Sequence, residues 1–436
     1  MFEKYKETKA FILIAGIFAG VYLLPVHSAN FLNGLHEAIF NAQEYAVLHI
    51  LMIFVPALFI TGAVSVFIKR DSIINFLGAK ANRFLAYVVA ALSGTVLVVS
   101  SGAILPLFSK ILKRGSGLGP AITFLYSGPA ISALTIIMTI RILGWQLGIA
   151  RTVGAITFSI VIGVIMHFLF WKEEKQHLVD IPKETSGKTG RPIWQTLIIF
   201  ALMIAIPLVL KWVRPDMATS PHLFIRMYQH KWLAAGIIAM LLGLYLTLFY
   251  GLRLWKVILT AGVVWGISYV RPSQPLTAYL VALYFVCVWL IQEKGVLHDW
   301  LISTWGFAKL IFPLLFISVL ISGALFGRSG QEAWIPSEWI TALVGGNSIW
   351  ANLLASVSGA FMYFATLTEV PILNGLISSG MGKGPALALL LAGPAFSLPG
   401  IWVINSFLGT KKTLVYVFLV IVFSSITGYI FGLLFT

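Results

Sequence analysis

Apolar runs of about 20 residues, each long enough to cross the roughly 30 Å hydrocarbon layer of a bilayer as a helix, follow one another from Ala10 to the last residues. In hydrocarbon every backbone amide must find its partner inside the protein, which leaves helices or a closed barrel, and runs this long are helical. The expected fold class is an all-α polytopic membrane protein. Composition agrees: 59% of the 436 residues are hydrophobic and 10% charged, where an ordinary soluble domain carries about 25% charged residues. The excess of 30 Lys+Arg over 15 Asp+Glu resembles a nucleic-acid signature. In a membrane chain it belongs to cytoplasmic loops, so no nucleic-acid partner is expected. The single cysteine, Cys287, lies in an apolar run and excludes an internal disulfide, a CxxC pair and a multi-cysteine metal site. The segment 1–9 precedes an apolar run from Ala10 to Val26 without an A-x-A-like cleavage site, which reads as a retained first helix.

The chain repeats itself. At a fixed offset of 265, without a gap, Pro106 falls on Pro371, Gly115 on Gly380, Gly117 on Gly382 and Gly119-Pro120-Ala121 on Gly384-Pro385-Ala386. Gly128-Pro129-Ala130 then falls on Gly393-Pro394-Ala395, Ser132 on Ser397, Leu143-Gly144 on Leu408-Gly409 and Gly163 on Gly428. Further upstream the register loosens, with Gly62-Ala63 echoed by Gly323-Ala324. Four regions follow: 1–44, an N-terminal helix and an amphipathic interfacial segment; 45–170, the first copy; 171–305, a lysine-rich loop and four connecting helices; 306–436, the second copy.

Charge indicates that the copies are inverted. Loop 69–83 carries Lys69, Arg70, Lys80 and Arg83 against Asp71, whereas its counterpart 328–347 carries Arg328 against Glu332 and Glu338. By the positive-inside bias the first faces the cytoplasm and the second the outside. From a cytoplasmic N-terminus, crossings near 10–26, 45–68, 119–140, 146–170, 193–211, 232–249, 257–270, 276–292, 306–327, 384–410 and 412–434 make eleven. Two further stretches, 84–109 and 349–379, begin and end on one side and read as opposed re-entrant hairpins. Arg141, Arg151 and Arg271 fall on the outer side of this trace, against the bias.

A backbone break in hydrocarbon leaves amide and carbonyl groups unpaired and survives only in protein or against a wet cavity. Four breaks are expected: the hairpin tips at Ser100-Ser101-Gly102 and Ala365 to Glu369, and the crossings at Gly128-Pro129 and Gly393-Pro394. Arms of about 14 residues reach roughly 20 Å, past the midplane, so opposed tips can meet there. The expected substrate contacts are Ser100, Ser101, Gly102, Ser127, Gly128, Pro129, Ser132, Thr366, Thr368, Gly393, Pro394 and Ser397. Hydroxyls that simply bond neighbouring backbone, and Gly-Pro kinks between packed helices, are the plainer alternatives. Glu369 is the one acid set deep in an apolar stretch, and its repeat partner is Ile104. An intramembrane carboxylate points to proton or cation coupling; a helix-start carboxylate, with Thr366 or Thr368 as cap before Pro371, is the structural alternative.

The duplicated motifs Ile104-Leu-Pro-Leu-Phe, Lys113-Arg-Gly-Ser-Gly-Leu-Gly-Pro-Ala, Thr368-Glu-Val-Pro and Gly384-Pro-Ala-Leu-Ala-Leu-Leu-Leu-Ala-Gly-Pro-Ala395 resemble the predicted permease family that includes the YraQ-type permeases and the ArsP exporters of trivalent organoarsenicals. The resemblance implies a membrane permease. Members often carry cysteines where this chain has Ser100, Gly102 and Thr366. Those replacements argue against thiol ligation of a soft metalloid.

The expected function is a secondary transporter of a small solute, working by alternating access between inverted repeats, with proton-coupled efflux as one mode. A channel-like pore, a membrane-embedded enzyme and a non-transporting assembly protein are the alternatives. The absence of HExxH, CxxC and paired intramembrane histidines argues against the enzyme. No catalytic, cofactor-binding or metal-ligating residue is assigned. The expected partners are a small-molecule or ion substrate and the lipid bilayer, and a homo-oligomer is compatible. The expected location is the cell membrane, multi-pass, with the N-terminus cytoplasmic.

Overall fold

The computed structural model describes residues 22–67, 82–97, 115–173, 193–210, 228–328, 333–361, 368–395 and 398–435, with short pieces between them. Every regular element is a helix among these residues. Among the described residues five helices are long and apolar enough to cross a membrane, or up to nine if each bent pair counts as one span. The chain is thus an all-helical polytopic membrane protein.

The first described helix, α1 (Ala29–Tyr45), passes through a π-helical stretch (Ala46–Phe54) into α2 (Val55–Phe67). The two parts are bent by 50°. Next come α3 (Arg83–Leu97), α4 (Leu118–Ala130), α5 (Ala133–Met138) with a π-helical turn to Leu143, and α6 (Trp145–Leu169). The connecting helices are α7 (Ile193–Leu210), α8 (Lys231–Tyr250), α9 (Leu254–Val270) and α10 (Pro275–Gln292). Then follow α11 (Val296–Phe326), α12 (Ser337–Val344), α13 (Ile349–Phe361), α14 (Glu369–Ser378), α15 (Lys383–Ala392), α16 (Leu398–Leu408) and α17 (Thr410–Phe435).

Two boundaries differ from the sequence reading. The segment 30–45, expected as an interfacial helix, runs without a gap into the following span and packs along α11. The run expected to begin at 306 starts at Val296, so 305/306 falls inside one continuous helix of 31 residues. Small residues set both packings. A Cβ on Gly323 would stand 2.8 Å from Ala38 Cα, and one on Gly62 would strike the Thr304 side chain. The echoed glycines are therefore where the first helices of the two halves meet, since only a missing side chain lets backbones approach this closely.

Polar contacts tie helix ends together. Lys412 bonds Glu173 (3.0 Å), Lys256 bonds Glu293 (2.9 Å), Arg328 bonds Glu37 (2.8 Å) and Lys383 Nζ donates to the carbonyl of Phe435 (3.0 Å). The Lys412 ammonium holds the exposed Glu173 carboxyl below its ordinary value.

The core is a layer formed by α4, buried along its whole length, and α15, buried from Gly384 to Ala392. Helix α4 is clasped by α3 and α6, and α15 by α13 and α17. A Cβ on Gly163 would stand 2.7 Å from the Gly119 carbonyl, and one on Gly428 would stand 2.6 Å from the Gly384 carbonyl. Both members of each contact are 265 apart from their counterparts.

Candidate functional site

The broken helices carry the site. In the first, the expected break at Gly128-Pro129 falls slightly later: α4 stays helical through Ala130, Ile131 and Ser132 leave the helix, and α5 starts anew at a bend of 47°. Proline lacks the N–H that the Leu125 carbonyl would need, which weakens the last turn of α4. Ser132 then supplies the next start: its Oγ accepts from the Thr135 N–H at 3.1 Å, a regular N-cap. In the second copy, Gly393–Ala395 tightens into a 3₁₀ turn, and the two parts of the span are bent by 56°.

Ending α4 at Ala130 leaves its last carbonyls without helical partners, and a cation or donor is favoured at such an end. Arg151 of α6 fills that place. Its Nε donates to the Ala130 carbonyl (3.3 Å), Nη1 to Thr139 Oγ1 (3.0 Å) and Nη2 to Glu369 Oε2 (2.9 Å). Thr139 is itself fixed, its hydroxyl donating to the Thr135 carbonyl at 2.7 Å. Both ion-pair partners are sealed from solvent, Arg151 at 0% and Glu369 at 1% exposure. The other carboxylate oxygen of Glu369, Oε1, has no hydrogen-bond partner among the described residues. A Cβ added at Gly393 would stand 2.8 Å from it.

The same arrangement recurs in the other copy with different chemistry. Ile104, the counterpart of Glu369, covers Gly128 so closely that a Cβ there would strike the Ile104 side chain. Tyr416, the counterpart of Arg151, donates to the Ala395 carbonyl at 3.3 Å. Gly94 and Gly359, also 265 apart, lie beneath the breaks: a Cβ on the first would stand 3.0 Å from Gly128 Cα, and one on the second 3.3 Å from the Gly393 nitrogen. At the centre, Tyr126 donates to the Leu391 carbonyl at 3.0 Å. These two residues are each other's repeat partners, so α4 and α15 cross at equivalent points.

The expected contact residues fare unequally. Gly128, Pro129, Gly393 and Pro394 lie at the crossing, all buried. Ser127 donates to the Ala90 carbonyl of α3 at 2.8 Å, and Ser132 caps α5, so both hydroxyls hold the scaffold. Thr368 occupies the N-cap position of α14 without a side-chain cap bond. Glu369 bonds a guanidinium and not the N–H groups of its own helix, in contrast to the capping alternative. Ser100, Ser101, Gly102, Thr366 and Ser397 lie outside the described residues. The sequence reading missed Arg151 as a site residue; its signal was an arginine within an apolar helix, placed by the eleven-crossing trace on the side where positive charge is disfavoured. Arg141 has a local explanation too, donating to the Pro207 carbonyl at 2.8 Å.

A polar cavity of about 400 Å³ opens near the ends of α11 and α14, lined by Asn41, Glu44, Tyr45, Arg328, Gln331 and Asn374 among others. Tyr45 also belongs to an apolar cluster with Leu134, Met138, Leu315, Val319 and Val370, the residue next to Glu369.

An apolar helical shell around broken helices and a sealed ion pair defines a polytopic membrane protein with a polar centre. The chain belongs to the predicted permease family ArsP_1, whose model matches residues 35–433. It is 39% identical over 388 residues to the UPF0718 protein MJ0584 of Methanocaldococcus jannaschii, covering 89% of this chain and 92% of that one. It is 26% identical over 152 residues to the UPF0718 protein YraQ of Escherichia coli, covering 31% and 42%. A similar match, 26% over 113 residues covering 26% and 38%, is made to the UPF0718 protein YcgR of Bacillus subtilis. No solved structure matches. Membership in a permease family marks the chain as a membrane transporter in class.

Proposed function

We propose that the protein is a secondary transporter in which units 45–170 and 306–436 form an inverted pair, joined through 171–305, that alternates access to a site between the helix breaks. The observation that carries this reading is the Arg151–Glu369 pair, which joins α6 of one unit, beside that unit's helix break, to the start of α14 in the other. Few structural needs justify two buried charges, whose desolvation costs several kcal/mol each. The repeated contacts at Ala130 and Ala395 support a common scaffold carrying different side chains.

Sidedness is supported by the end-to-end contacts. In the eleven-crossing trace Glu173, Lys412, Lys256 and Glu293 are cytoplasmic, while Glu37, Arg328, Lys383 and Phe435 are external. Each observed pair joins two ends assigned to one side. The buried pairing of Arg151 also removes one objection to the trace, because a neutralised arginine does not act as a topogenic charge. The polar cavity is then an outer vestibule, closed from the centre by the apolar cluster at Tyr45 and Val370. The two breaks supply solvated backbone for a substrate, and Glu369 couples its movement to a proton or cation. The protein resides in the cell membrane with its N-terminus inside.

The test uses proteoliposomes loaded with labelled candidate solutes, with and without a pH gradient. Glu369→Gln keeps size and an acceptor for Arg151 but cannot ionise. Coupling predicts that the variant still binds solute while losing the response to the gradient. Wild-type gradient dependence in well-folded Glu369→Gln would remove the coupling role.

A further inference from the structure

The two members of the central pair are held unequally, and this points to what the site carries. Arg151 has two partners besides Glu369, both from its own unit: the Ala130 carbonyl, freed by the helix break, and Thr139, itself anchored to Thr135. Glu369 is held, among the described residues, by Arg151 alone and through one oxygen. When the pair parts, the arginine stays and the carboxylate goes. In the second copy a neutral hydroxyl, Tyr416, performs the scaffold task of bonding the break carbonyl. The positive charge of Arg151 and its two terminal amino groups therefore exceed what the scaffold needs. A guanidinium presents a planar fork suited to two oxygens, yet Glu369 engages it with one.

We propose that Arg151 is the substrate-binding residue for a small carboxylate or oxyanion, and that Glu369 is its built-in occupant, displaced as anion and proton enter together. This rests on the transporter reading and names its substrate class. The proton follows from charge balance. A buried guanidinium cannot be left unpaired, so an anion arrives as the carboxylate leaves; a carboxylate withdrawn from its cation inside the protein must be neutral, so it takes a proton. The N-terminus of the ten-residue α14, which begins at Glu369, adds positive potential on the same point.

Among the described residues the ionisable groups around Glu369 are few. They are Arg151 from α6, Tyr126 from α4 and, beyond it, Tyr416 from α17. Helix α11 presents Ser318 and Ser322, the latter donating to the Pro371 carbonyl at 2.9 Å. Arg141 in the turn after α5 is engaged with Pro207, Lys383 stands at the far end of α15, and Tyr45 of α1 lies beyond Val370.

The experiment is isothermal titration of the purified full chain in detergent with sodium acetate and with sodium sulfate, whose charges are constant between pH 6 and pH 8. Each is run in two buffers of different ionisation heat. The expected result is binding of at least one probe at pH 6, tenfold or more weaker at pH 8, with close to one proton taken up per anion. Glu369→Gln is expected to bind at pH 8 as tightly as the wild type at pH 6, with no proton uptake. Arg151→Gln combined with Glu369→Gln, which leaves no unpaired charge, is expected to bind neither probe. Silence of both probes in wild type and Glu369→Gln, weaker binding in Glu369→Gln, pH-independent binding in the wild type, or undiminished binding in the double variant would each overturn the proposal. If gradient-dependent transport is lost in Glu369→Gln while no anion binds, the transporter reading stands and the anion assignment falls. Anion binding of the expected pattern without transport in proteoliposomes separates them the other way.

Discussion

Arg151 and Tyr416 stand 265 positions apart and make the same contact: each donates, over 3.3 Å, to a carbonyl 21 residues upstream, where a transmembrane helix breaks. The contact closes the exposed end of a half-helix, which in a low-dielectric interior would otherwise lose a hydrogen bond outright. With the scaffold requirement met by a hydroxyl in one copy, the other copy has added a charge. Its neutralising acid, Glu369, occupies the position held by Ile104 in the first copy. The duplicated framework is thus the same in both halves, and the chemistry is concentrated on one diagonal across it.

That pairing has a measurable energetic signature. Arg151→Met alone leaves Glu369 buried and unpaired, and Glu369→Leu alone leaves Arg151 so; each is expected to cost about 3–5 kcal/mol. The double variant restores an apolar interior of similar volume and is expected to recover most of that loss. Apparent melting temperatures in detergent read this directly. Additive losses in the double variant would mean that the two side chains do not interact.

The repeat was legible because its evidence is backbone evidence. Gly119, Gly128 and Gly163, with their counterparts Gly384, Gly393 and Gly428, sit where a side chain would strike a neighbouring backbone or side chain. Such positions tolerate no drift, so they stay in register. The duplicated Gly94 and Gly359 carry the same signal but are harder to read, because they lie on α3 and α13 without a proline to mark them. The ion pair was not legible as a pair. Its members are 218 positions apart, and Arg151 aligns with a tyrosine, so comparison of the copies hides it. The lone acid and the lone misplaced arginine were each visible, but only the fold brings them together. The expected break at Gly128-Pro129 was displaced to Ile131 because α4, weakened in its last turn by Pro129, still closes through Ala130, and Ser132 offers the cap from which α5 starts anew.

The crossing of the broken helices depends on absent side chains. Gly128→Leu would collide with Ile104, and Gly393→Leu would press on the Glu369 carboxylate. Both are expected to reach the membrane and to lose transport by at least tenfold in proteoliposomes. Gly359→Val, directed at the Leu389 carbonyl 2.9 Å from its Cβ, is expected to act similarly. Full activity in Gly128→Leu or Gly393→Leu would show that the breaks are packing kinks and nothing more.

The proposed inverted arrangement makes a prediction about sides. Ser72 lies in the basic stretch 69–83 of the sequence and Ser337 at the start of α12, in the acidic stretch 328–347. Single cysteines at these positions, in a Cys287→Ser background, are expected to label from opposite faces of intact cells: Cys at 337 with a membrane-impermeant maleimide added outside, and Cys at 72 only after permeabilisation. The contacts of Arg328 with Glu37 and of Lys412 with Glu173 extend the test. A cysteine replacing Glu37 should follow position 337, and one replacing Glu173 should follow position 72. Labelling of positions 72 and 337 from one face would overturn the proposed inversion, because the two copies would then enter the membrane from the same side.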